Sequence, residues 1–295
     1  MNILISFLEQ VINGLRTGSI YALIALGYTM VYGIAKMINF AHGDIIMVGA
    51  FALYVYIDLL HLPVWLSVIL TIITCSVLGM TIEKVAYKPL RNAPSLAVLI
   101  TAIGMSYFLQ SAAQLIFGAT PIPFKSIINV PSIVVGSLTI SGLTVITLVV
   151  TIVVMIGLTL FVSKTKAGSA MRAVSEDKGA AELMGINVNG IISLTFGIGT
   201  ALAAVAGILF ICQYESLEPT LGALPGIKAF VAAVLGGIGS IPGAMLGGLV
   251  LGLIESFAKS NGLSTVVDAA VFGVLILILL VKPAGLLGKK KSEKV

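Results

Sequence analysis

The sequence predicts an all-α polytopic membrane protein with about 8–10 transmembrane helices. Of its 295 residues, 58% are hydrophobic and only 10% are charged, and the mean hydropathy is +1.13. Soluble domains carry about 25% charged residues, so a chain this poor in charge cannot cover a globule with polar surface. The net charge of +5 then reflects basic residues gathered on cytoplasmic loops, and does not indicate nucleic-acid binding.

Apolar runs of roughly the 20 residues that a spanning helix needs follow one another along the chain. The predicted spans are 11–33, 45–57, 64–82, 95–117, 142–162, 190–212, 226–237, 242–258 and 265–281. Residues 1–10 are expected to form a short turn at the membrane interface, because their hydrophobicity is interrupted by polar residues.

The positions of the basic residues predict the topology. The segments 84–91, 164–189 and 282–295 together hold twelve of the 17 Lys and Arg residues. Alternating spans can place all three segments on one side, which is then the cytoplasmic side. This arrangement requires 226–237 to cross the membrane, and it puts the amino end outside. An early helix pair or an interfacial first helix would reverse the amino end.

The segment 164–189 is the one long stretch that reads as a polar, amphipathic helix. Its apolar positions between Ala170 and Met184 are Met171, Val174, Ala181 and Met184, and its polar positions are Arg172, Ser175, Glu176 and Lys178. A short helix with an apolar stripe and a charged face suits docking onto a soluble partner, and Gly185 is placed to end it. The alternative is a solvated loop that binds nothing.

Two polar or glycine-rich interruptions, at 39–44 and 236–243, fall within otherwise spanning hydrophobicity. Irregular backbone at membrane depth is tolerated only where protein or a water-filled cavity satisfies it, and paired breaks in the two halves of a transporter point to its central pathway. Asn39, His42 and Asp44 are therefore candidate pathway-lining residues. The alternative is that Asn39 or Asp44 caps the following helix at the interface. No metal site is predicted, because no third ligand is near.

Glycines recur every fourth residue at Gly239, Gly243 and Gly247. This spacing puts small residues on one helix face and predicts close packing of a neighbouring helix. Further along the same run, Glu255 and Lys259 are spaced to form an i,i+4 ion pair near the outer end, and Asp268 is expected at that end as well.

No catalytic motif is recognised in the sequence. Gly288-Lys289 lacks both the upstream glycine and the following hydroxyl of a phosphate-binding loop, and neither GxSxG nor HExxH occurs. We therefore expect a protein that is not an enzyme and has no ATPase site of its own. Any uphill work must draw its energy from another chain or from an ion gradient.

Four stretches spread over nearly the whole chain resemble the integral membrane permeases of bacterial branched-chain amino acid ABC importers. They are GSIYALIALGYTMVYGIAKMINFAHGDIIMVGAF at 18–51, GSAMRAVSEDKGAAELMGIN at 168–187, GIKAFVAAVLGGIGSIPGAMLGGLVLGLIES at 226–256, and KPAGLLGKK at 282–290.

The resemblance implies a type II ABC importer permease fold, with 1–295 as a single transmembrane permease domain and broken helices in both halves. It implies that the cytoplasmic loop 164–189 contains the coupling helix, and that 282–295 is a basic cytoplasmic tail. The residues expected to couple to an ATPase are Arg172, Ala173, Glu176, Asp177, Ala181 and Gly185.

The resemblance also implies partners. These are a second permease subunit, usually a different chain, two ATP-binding cassette subunits, and a periplasmic or extracellular substrate-binding protein, all at the bacterial cytoplasmic (inner) membrane. No cofactor is expected on this chain, because ATP is used by the partner subunits. Relatives of this type import leucine, isoleucine and valine, and some take other neutral amino acids, short amides or urea.

Two other classes of function compete with this interpretation. One is a proton-coupled secondary transporter of small neutral solutes that uses an intramembrane carboxylate such as Asp44. The other is a membrane-embedded enzyme or assembly factor, which the lack of catalytic motifs disfavours. The polar segment 164–189 favours the importer, because a secondary transporter needs no docking site for an ATPase.

Overall fold

The computed structural model describes residues 2–37, 39–91, 93–136, 138–262, 264–282 and 284–288. The helices in this part of the chain are α1 (Asn2–Ala35), α2 (His42–Tyr54), α3 (Val64–Ile82), α4 (Ser95–Phe117), α5 (Gly142–Lys164), α6 (Lys166–Glu176), α7 (Lys178–Leu183), α8 (Val188–Tyr214), α9 (Ala223–Gly236), α10 (Ile241–Ser260) and α11 (Val267–Val281). π-helical turns continue α2 over Val55–Leu59 and α3 over Glu83–Tyr87. Single 3₁₀ turns lie at Lys88–Leu90 and Ser264–Val266.

Four short strands form two small antiparallel pairs. Strand β1 (Ile122–Pro123) pairs with β4 (Ser216–Leu217), and β2 (Ile133–Val135) pairs with β3 (Leu138–Ile140). The β1–β4 pair joins the α4–α5 connection to the α8–α9 connection, which places both connections at the same end of the bundle.

The chain is an all-α polytopic membrane protein. Within the described residues, seven helical segments are long and apolar enough to cross a bilayer. They are Leu4–Ala35, His42–Leu59, Val64–Leu90, Ser95–Phe117, Gly142–Lys164, Val188–Tyr214 and Ile241–Ser260. The shorter apolar helices α9 and α11 lie beside α10. With them the described residues contain nine apolar helices, within the predicted 8–10.

Helix α1 is the centre of the bundle. In the most apolar 18-residue stretch of α1, 89% of the residues are buried, whereas in that of α5 only 17% are buried. The largest interface of α1 is with α10, and α8, α9 and α5 also pack against it. Helices α3, α4 and α5 turn apolar side chains such as Ile73, Phe108 and Val153 outward, as lipid-facing helices do.

The interfacial turn expected over residues 1–10 is wrong for residues 2–10, because this stretch is the first portion of α1, and residue 1 lies outside the described residues. Contacts with α10 extend the helix: the rings of Phe7 and Phe257 lie 5.4 Å apart. The Ser256 hydroxyl donates a hydrogen bond of 2.8 Å to the Gln10 carbonyl oxygen. Packing along α10 therefore overrides the polar interruptions that predicted a turn.

The basic segments predicted to be cytoplasmic meet at one end of the bundle. Arg91 donates to the side chain of Asn189, and the ammonium group of Lys178 lies 3.0 Å from the Ala35 carbonyl oxygen. The start of the tail lies at this end too, since the Leu286 amide donates to the Leu235 carbonyl oxygen at 2.8 Å. The amino end of α1 lies at the opposite end, as the charge distribution predicts. Lys289, Lys290, Lys291 and Lys294 lie outside the described residues.

The two sequence interruptions both end helices but differ in kind. After Ala35 the chain turns back into the bundle, so that α2 begins beside Gly27 and Tyr28, about two turns inside the end of α1. The second interruption reverses the chain between α9 and α10, with positive φ angles of 102° at Gly237 and 96° at Gly239. It thus forms a tight helical hairpin.

Gly243 and Gly247, two of the three glycines at four-residue spacing, lie directly against α9. A Cβ atom added at Gly243 or Gly247 would overlap the backbone of α9 at Gly236 or Ala232. Gly239 differs, because it precedes α10 and an added Cβ there would meet open space. It supplies the positive φ of the turn, and its Cα lies against α1, 3.4 Å from where a Cβ at Gly33 would sit.

Replacing Gly247 with Leu is expected to force α9 and α10 apart, because the new side chain would occupy the position of the Ala232 carbonyl. Overpacking of this kind costs about 1–3 kcal/mol, and more where backbone must move. The melting temperature of the detergent-purified chain should fall. Gly157→Leu is the matched control, since Gly157 is helical, exposed and free of neighbours. Equal melting temperatures for the two variants would contradict the packing.

Candidate functional site

The polar segment forms two short helices, α6 and α7, where one helix over 170–184 was predicted. Asp177 separates them with an extended backbone at φ −151° and ψ 114°. Its carboxylate accepts a hydrogen bond of 2.9 Å from the Ala180 amide and so caps α7. Asp is a preferred N-cap residue, and this preference was the sequence signal for the break.

The apolar side of α6 and α7 holds the pair against the bundle. Met171, Val174 and Ala181 are at most 3% exposed. Met184, predicted to continue this stripe, is 82% exposed, and its neighbour Leu183 is 91% exposed. The break at Asp177 changes the register of the stripe, so that the end of α7 turns an apolar pair away from the bundle.

The predicted coupling residues divide between the two sides. Glu176, Asp177 and Gly185 are exposed, and Gly185 ends α7 with φ 80°, as predicted. Ala173 is half-buried and Ala181 is buried, so the Ala181 side chain packs against the bundle and does not face outward. Arg172 is exposed and folds back to donate to the Val162 carbonyl oxygen at the end of α5.

Lys178 connects α7 to the central helix. Its ammonium group donates to the Ala35 carbonyl oxygen, the last of α1, at 3.0 Å. A cation at a helix C-terminus is stabilised by the exposed carbonyls and the helix dipole. Partial burial, and then the nearby charge of Arg91, lower the pKa of Lys178. The contact fixes the end of α1 where the chain turns back into the bundle.

A second polar cluster, which the sequence did not reveal, joins α3 to α8 beside this contact. The Glu83 carboxylate is fully buried, pairs with Arg91 and accepts a hydrogen bond from Ser193. Arg91 in turn donates to Asn189 at the start of α8. The loop 84–91, recognised only as a basic segment, thus ties two spanning helices to the end of the polar segment.

The candidate pathway residues are buried by protein. Asn39 accepts a hydrogen bond of 2.8 Å from the Tyr87 hydroxyl and lines a cavity of about 10 Å³, room for roughly one water molecule. Asp44 accepts a hydrogen bond of 2.8 Å from the Gln110 amide, which connects α2 to α4. The His42 ring lies 4.6 Å from the Tyr28 ring.

The alternative, that Asn39 or Asp44 caps α2 at the interface, is wrong. Ala41 precedes the first residue of α2, and no side chain caps this helix. His42 and Asp44 are at most 1% exposed. Neither residue lines the cavity of about 10 Å³ or the cavity of about 420 Å³. Their contacts, with Tyr28 and Gln110, join α2 to neighbouring helices. A lining role for these residues remains a prediction.

A larger cavity of about 420 Å³ lies at the opposite end of the bundle. One wall is a charged network: Glu255 accepts from Tyr21 at 2.7 Å, from Lys228 at 3.2 Å and from Lys259 at 2.6 Å. The predicted Glu255–Lys259 pair is therefore confirmed. Lys228 also pairs with Asp268 at 2.8 Å. Lys228 was missed, although a lone charge within the apolar run 226–237 is an expensive residue that marks a polar cavity or partner.

In the part of the chain that the structure describes, no group of three or more His, Cys, Asp or Glu side chains is placed to hold a metal ion. Cys75 and Cys212 are both buried and unpaired.

The arrangement defines a class of protein. A multi-pass helical bundle carries an outward-facing helix pair at one end and a charged, partly apolar cavity at the other, which is the organisation of a transporter's membrane subunit. The family described as "Branched-chain amino acid transport system / permease component" matches residues 10–280. The chain belongs to this family.

Relatives of this chain align with it over nearly their whole length. The chain is 49% identical to the high-affinity branched-chain amino acid transport system permease protein BraD of Pseudomonas aeruginosa, with 98% of each chain covered. It is 45% identical to the corresponding permease protein LivH of Escherichia coli K12, again with 98% of each covered. Among solved structures, PsaBC from Streptococcus pneumoniae in complex with Fab matches at 16% identity and a TM-score of 0.49, covering 92% of this chain and 91% of that one.

Asp177→Ala should destabilise α7 locally, because the helix loses its only side-chain cap and has just six residues. Removing such a cap costs about 0.5–2 kcal/mol. The expected result is faster hydrogen exchange of the amides of 178–183, measured by mass spectrometry on the purified chain, with unchanged exchange in α1. Asp177→Asn keeps the accepting oxygen and should exchange like the wild type. Equal exchange in the Ala and Asn variants would contradict the capping role.

Proposed function

We propose that this chain is the membrane-spanning permease subunit of an ATP-driven importer for branched-chain amino acids (Leu, Ile, Val) or related neutral amino acids, and that it forms half of the translocation pathway. The observation that carries the proposal is the full-length similarity to permeases of high-affinity branched-chain amino acid transport systems. The α6–α7 pair also supports it, because this pair presents an exposed surface in a chain that is otherwise apolar enough to lie in lipid. A secondary transporter would have no use for such a surface.

In this proposal the other half of the pathway is a second permease subunit, which is a different chain, in a bacterial cytoplasmic (inner) membrane. Two ATP-binding cassette subunits bind and hydrolyse the ATP, and this chain holds no cofactor. A periplasmic or extracellular binding protein delivers the substrate to the end of the bundle opposite α6 and α7.

The docking surface that we assign to the ATPase is centred on Leu183 and Met184. These two apolar side chains, at the end of α7, are 91% and 82% exposed, and the adjacent acidic residue Glu182 is exposed as well. Apolar anchors within a charged rim are the usual composition of a protein–protein contact. Ala173, on the neighbouring helix α6, is half-buried.

The contacts of α6 and α7 give a route by which movement of a docked ATPase reaches the spanning helices. Met171 and Val174 are packed into the bundle, so α6 cannot shift independently of it. Lys178 holds the end of α1, and Asn189 holds Arg91. Closure of the ATPases would therefore displace α1 and α8 with the docked helices as one connected body.

Replacing both Leu183 and Met184 with Glu should detach the ATPase while leaving the chain in the membrane, because both side chains are outside the bundle core. Loss of a central apolar anchor costs about 2 kcal/mol or more, roughly a thirtyfold weaker contact. The measurement is a pull-down of the tagged chain in mild detergent, with quantitative mass spectrometry of the co-purified proteins. Lys125→Glu is the control, since Lys125 is exposed and lies in the α4–α5 connection, at the opposite end of the bundle. Undiminished recovery of ATPases with the double variant would sink this docking surface.

Asp44→Asn should retain most ATP-driven uptake, because the amide oxygen still accepts the hydrogen bond from Gln110. Asp44→Leu should lower the melting temperature, since it removes the hydrogen bond that joins α2 to α4, and a hydrogen bond to a charged group contributes about 1.5–3 kcal/mol. Both variants are measured for uptake and for thermal unfolding. Complete loss of uptake by a normally folded Asn variant would revive the proton-coupled transporter.

The first test of the proposal as a whole is the pull-down of the wild-type chain. Recovery of two ATP-binding subunits and a second permease, with leucine uptake that requires ATP, is the expected result. Recovery of the chain alone, with uptake driven by a proton gradient in vesicles that lack ATP, would overturn it.

A further inference from the structure

The ≈ 420 Å³ cavity has a wall with two lysine ammonium groups side by side. Glu255 holds both of them: its Oε2 atom lies 3.2 Å from Lys228 and its Oε1 atom lies 2.6 Å from Lys259. The Glu255 side chain is 2% exposed, whereas that of Lys259 is 50% exposed. The carboxylate is therefore the buried anchor of the network. Lys259 is open to the cavity, and Lys228, whose side chain is 10% exposed, lines its wall.

The network leaves donors available for a ligand. An ammonium group has three N–H donors. Lys259 uses one of them on Glu255, and Lys228 uses two, on Glu255 and on Asp268. The two Glu255 oxygens already accept from three groups, Tyr21 included, so Glu255 has little capacity left. The unused donors favour an incoming anionic group such as a carboxylate.

A separate acidic group lines the same cavity. Glu218, in the α8–α9 connection, is exposed, and within the described residues its carboxylate makes no hydrogen bond or ion pair. It is thus an acceptor for a cationic group. The apolar side chains of Phe210, Leu221 and Leu224 also line the cavity, together with Tyr214, Ser216, Thr220 and Pro225. A volume of about 420 Å³ is within the range of small-molecule sites, which combine apolar walls with a few polar groups.

We propose that this cavity is an acceptor site for the zwitterionic backbone of a neutral aliphatic amino acid. The substrate carboxylate binds at Lys228 and Lys259, its ammonium group binds at Glu218, and its side chain lies against the apolar wall. This inference rests on the proposed function, to which it adds the site that receives substrate at the end of the bundle opposite α6 and α7. A charged substrate side chain would lose hydration against Phe210 and Leu224, so the site favours aliphatic substrates.

The test uses the whole complex that co-purifies with the chain, in nanodiscs and without binding protein. Leu224→Cys places a reporter thiol on the cavity wall, where the native side chain is 57% exposed. The rate of its alkylation by a charged maleimide is measured against the concentration of L-leucine. The native Cys75 and Cys212 are buried and serve as the background.

L-leucine is expected to slow alkylation, whereas leucinamide, which lacks the carboxylate, and isocaproate, which lacks the ammonium group, should not. Lys259→Gln and Glu218→Gln should each raise the leucine concentration for half-protection about tenfold, as expected for one charge-assisted hydrogen bond. Lys259→Arg should restore much of the protection. Lys125→Gln and Asp58→Asn are matched controls, since both residues are exposed and neither lines the cavity.

Protection by isocaproate or leucinamide equal to that by leucine would overturn the zwitterion site, as would unaltered protection in the Gln variants. ATP-dependent leucine uptake by the complete system is measured in parallel. Normal uptake with no protection of the wild-type reporter would reject the site and leave the proposed function standing. Absence of leucine uptake with intact assembly would reject the proposed function itself.

Discussion

The fold depends on the close approach of α10 to α1 and α9 through backbone surfaces that carry no side chain. A Cβ atom at Gly248 or Gly252 would overlap the backbone of α1 at Ala22 or Gly18, and Gly243 and Gly247 make the equivalent contact with α9. In lipid, helices gain nothing by hiding apolar surface from one another, so van der Waals contact and polar links must hold them together. Glycine at these positions supplies the contact area, and it fixes the relative positions of three helices.

Helix α1 connects the two polar regions of the molecule. Ala35, at one end, accepts the hydrogen bond from Lys178 of the polar segment, and Tyr21 donates to Glu255 in the cavity wall. These two residues are separated by about 21 Å of helix, at 1.5 Å per residue. Because Tyr21 and Ala35 belong to one unbroken, buried helix, displacement of the docked pair α6–α7 acts on the same rigid body that holds the cavity network.

Much of the architecture could be predicted from the sequence because lipid restricts it severely. Composition predicted the class of protein, and the length of the apolar run at 95–117 predicted both ends of α4 correctly. The four-residue glycine spacing predicted the contacts of Gly243 and Gly247. What escaped prediction depends on tertiary contacts. Periodicity alone could not show that Asp177 would break the polar helix and turn Met184 outward. Nor could it bring Lys228 to Glu255, because these residues are on different helices and the only partner that spacing offered for Glu255 was Lys259.

The interruption after α1 and the charged network have the same physical explanation. Polar groups within an apolar bundle are stable only when each has a partner. Asn39 and Asp44 are satisfied by Tyr87 and Gln110, and Glu255 by three donors from α1, α9 and α10. The Asn39–Tyr87 and Asp44–Gln110 hydrogen bonds join helices, and neither leaves a charged group facing a cavity large enough for a solute. The Glu255 network leaves lysine donors directed at an open volume of about 420 Å³. Polar residues whose hydrogen bonds are all made within the bundle therefore stabilise it, whereas those with unused donors at a cavity can bind a polar solute.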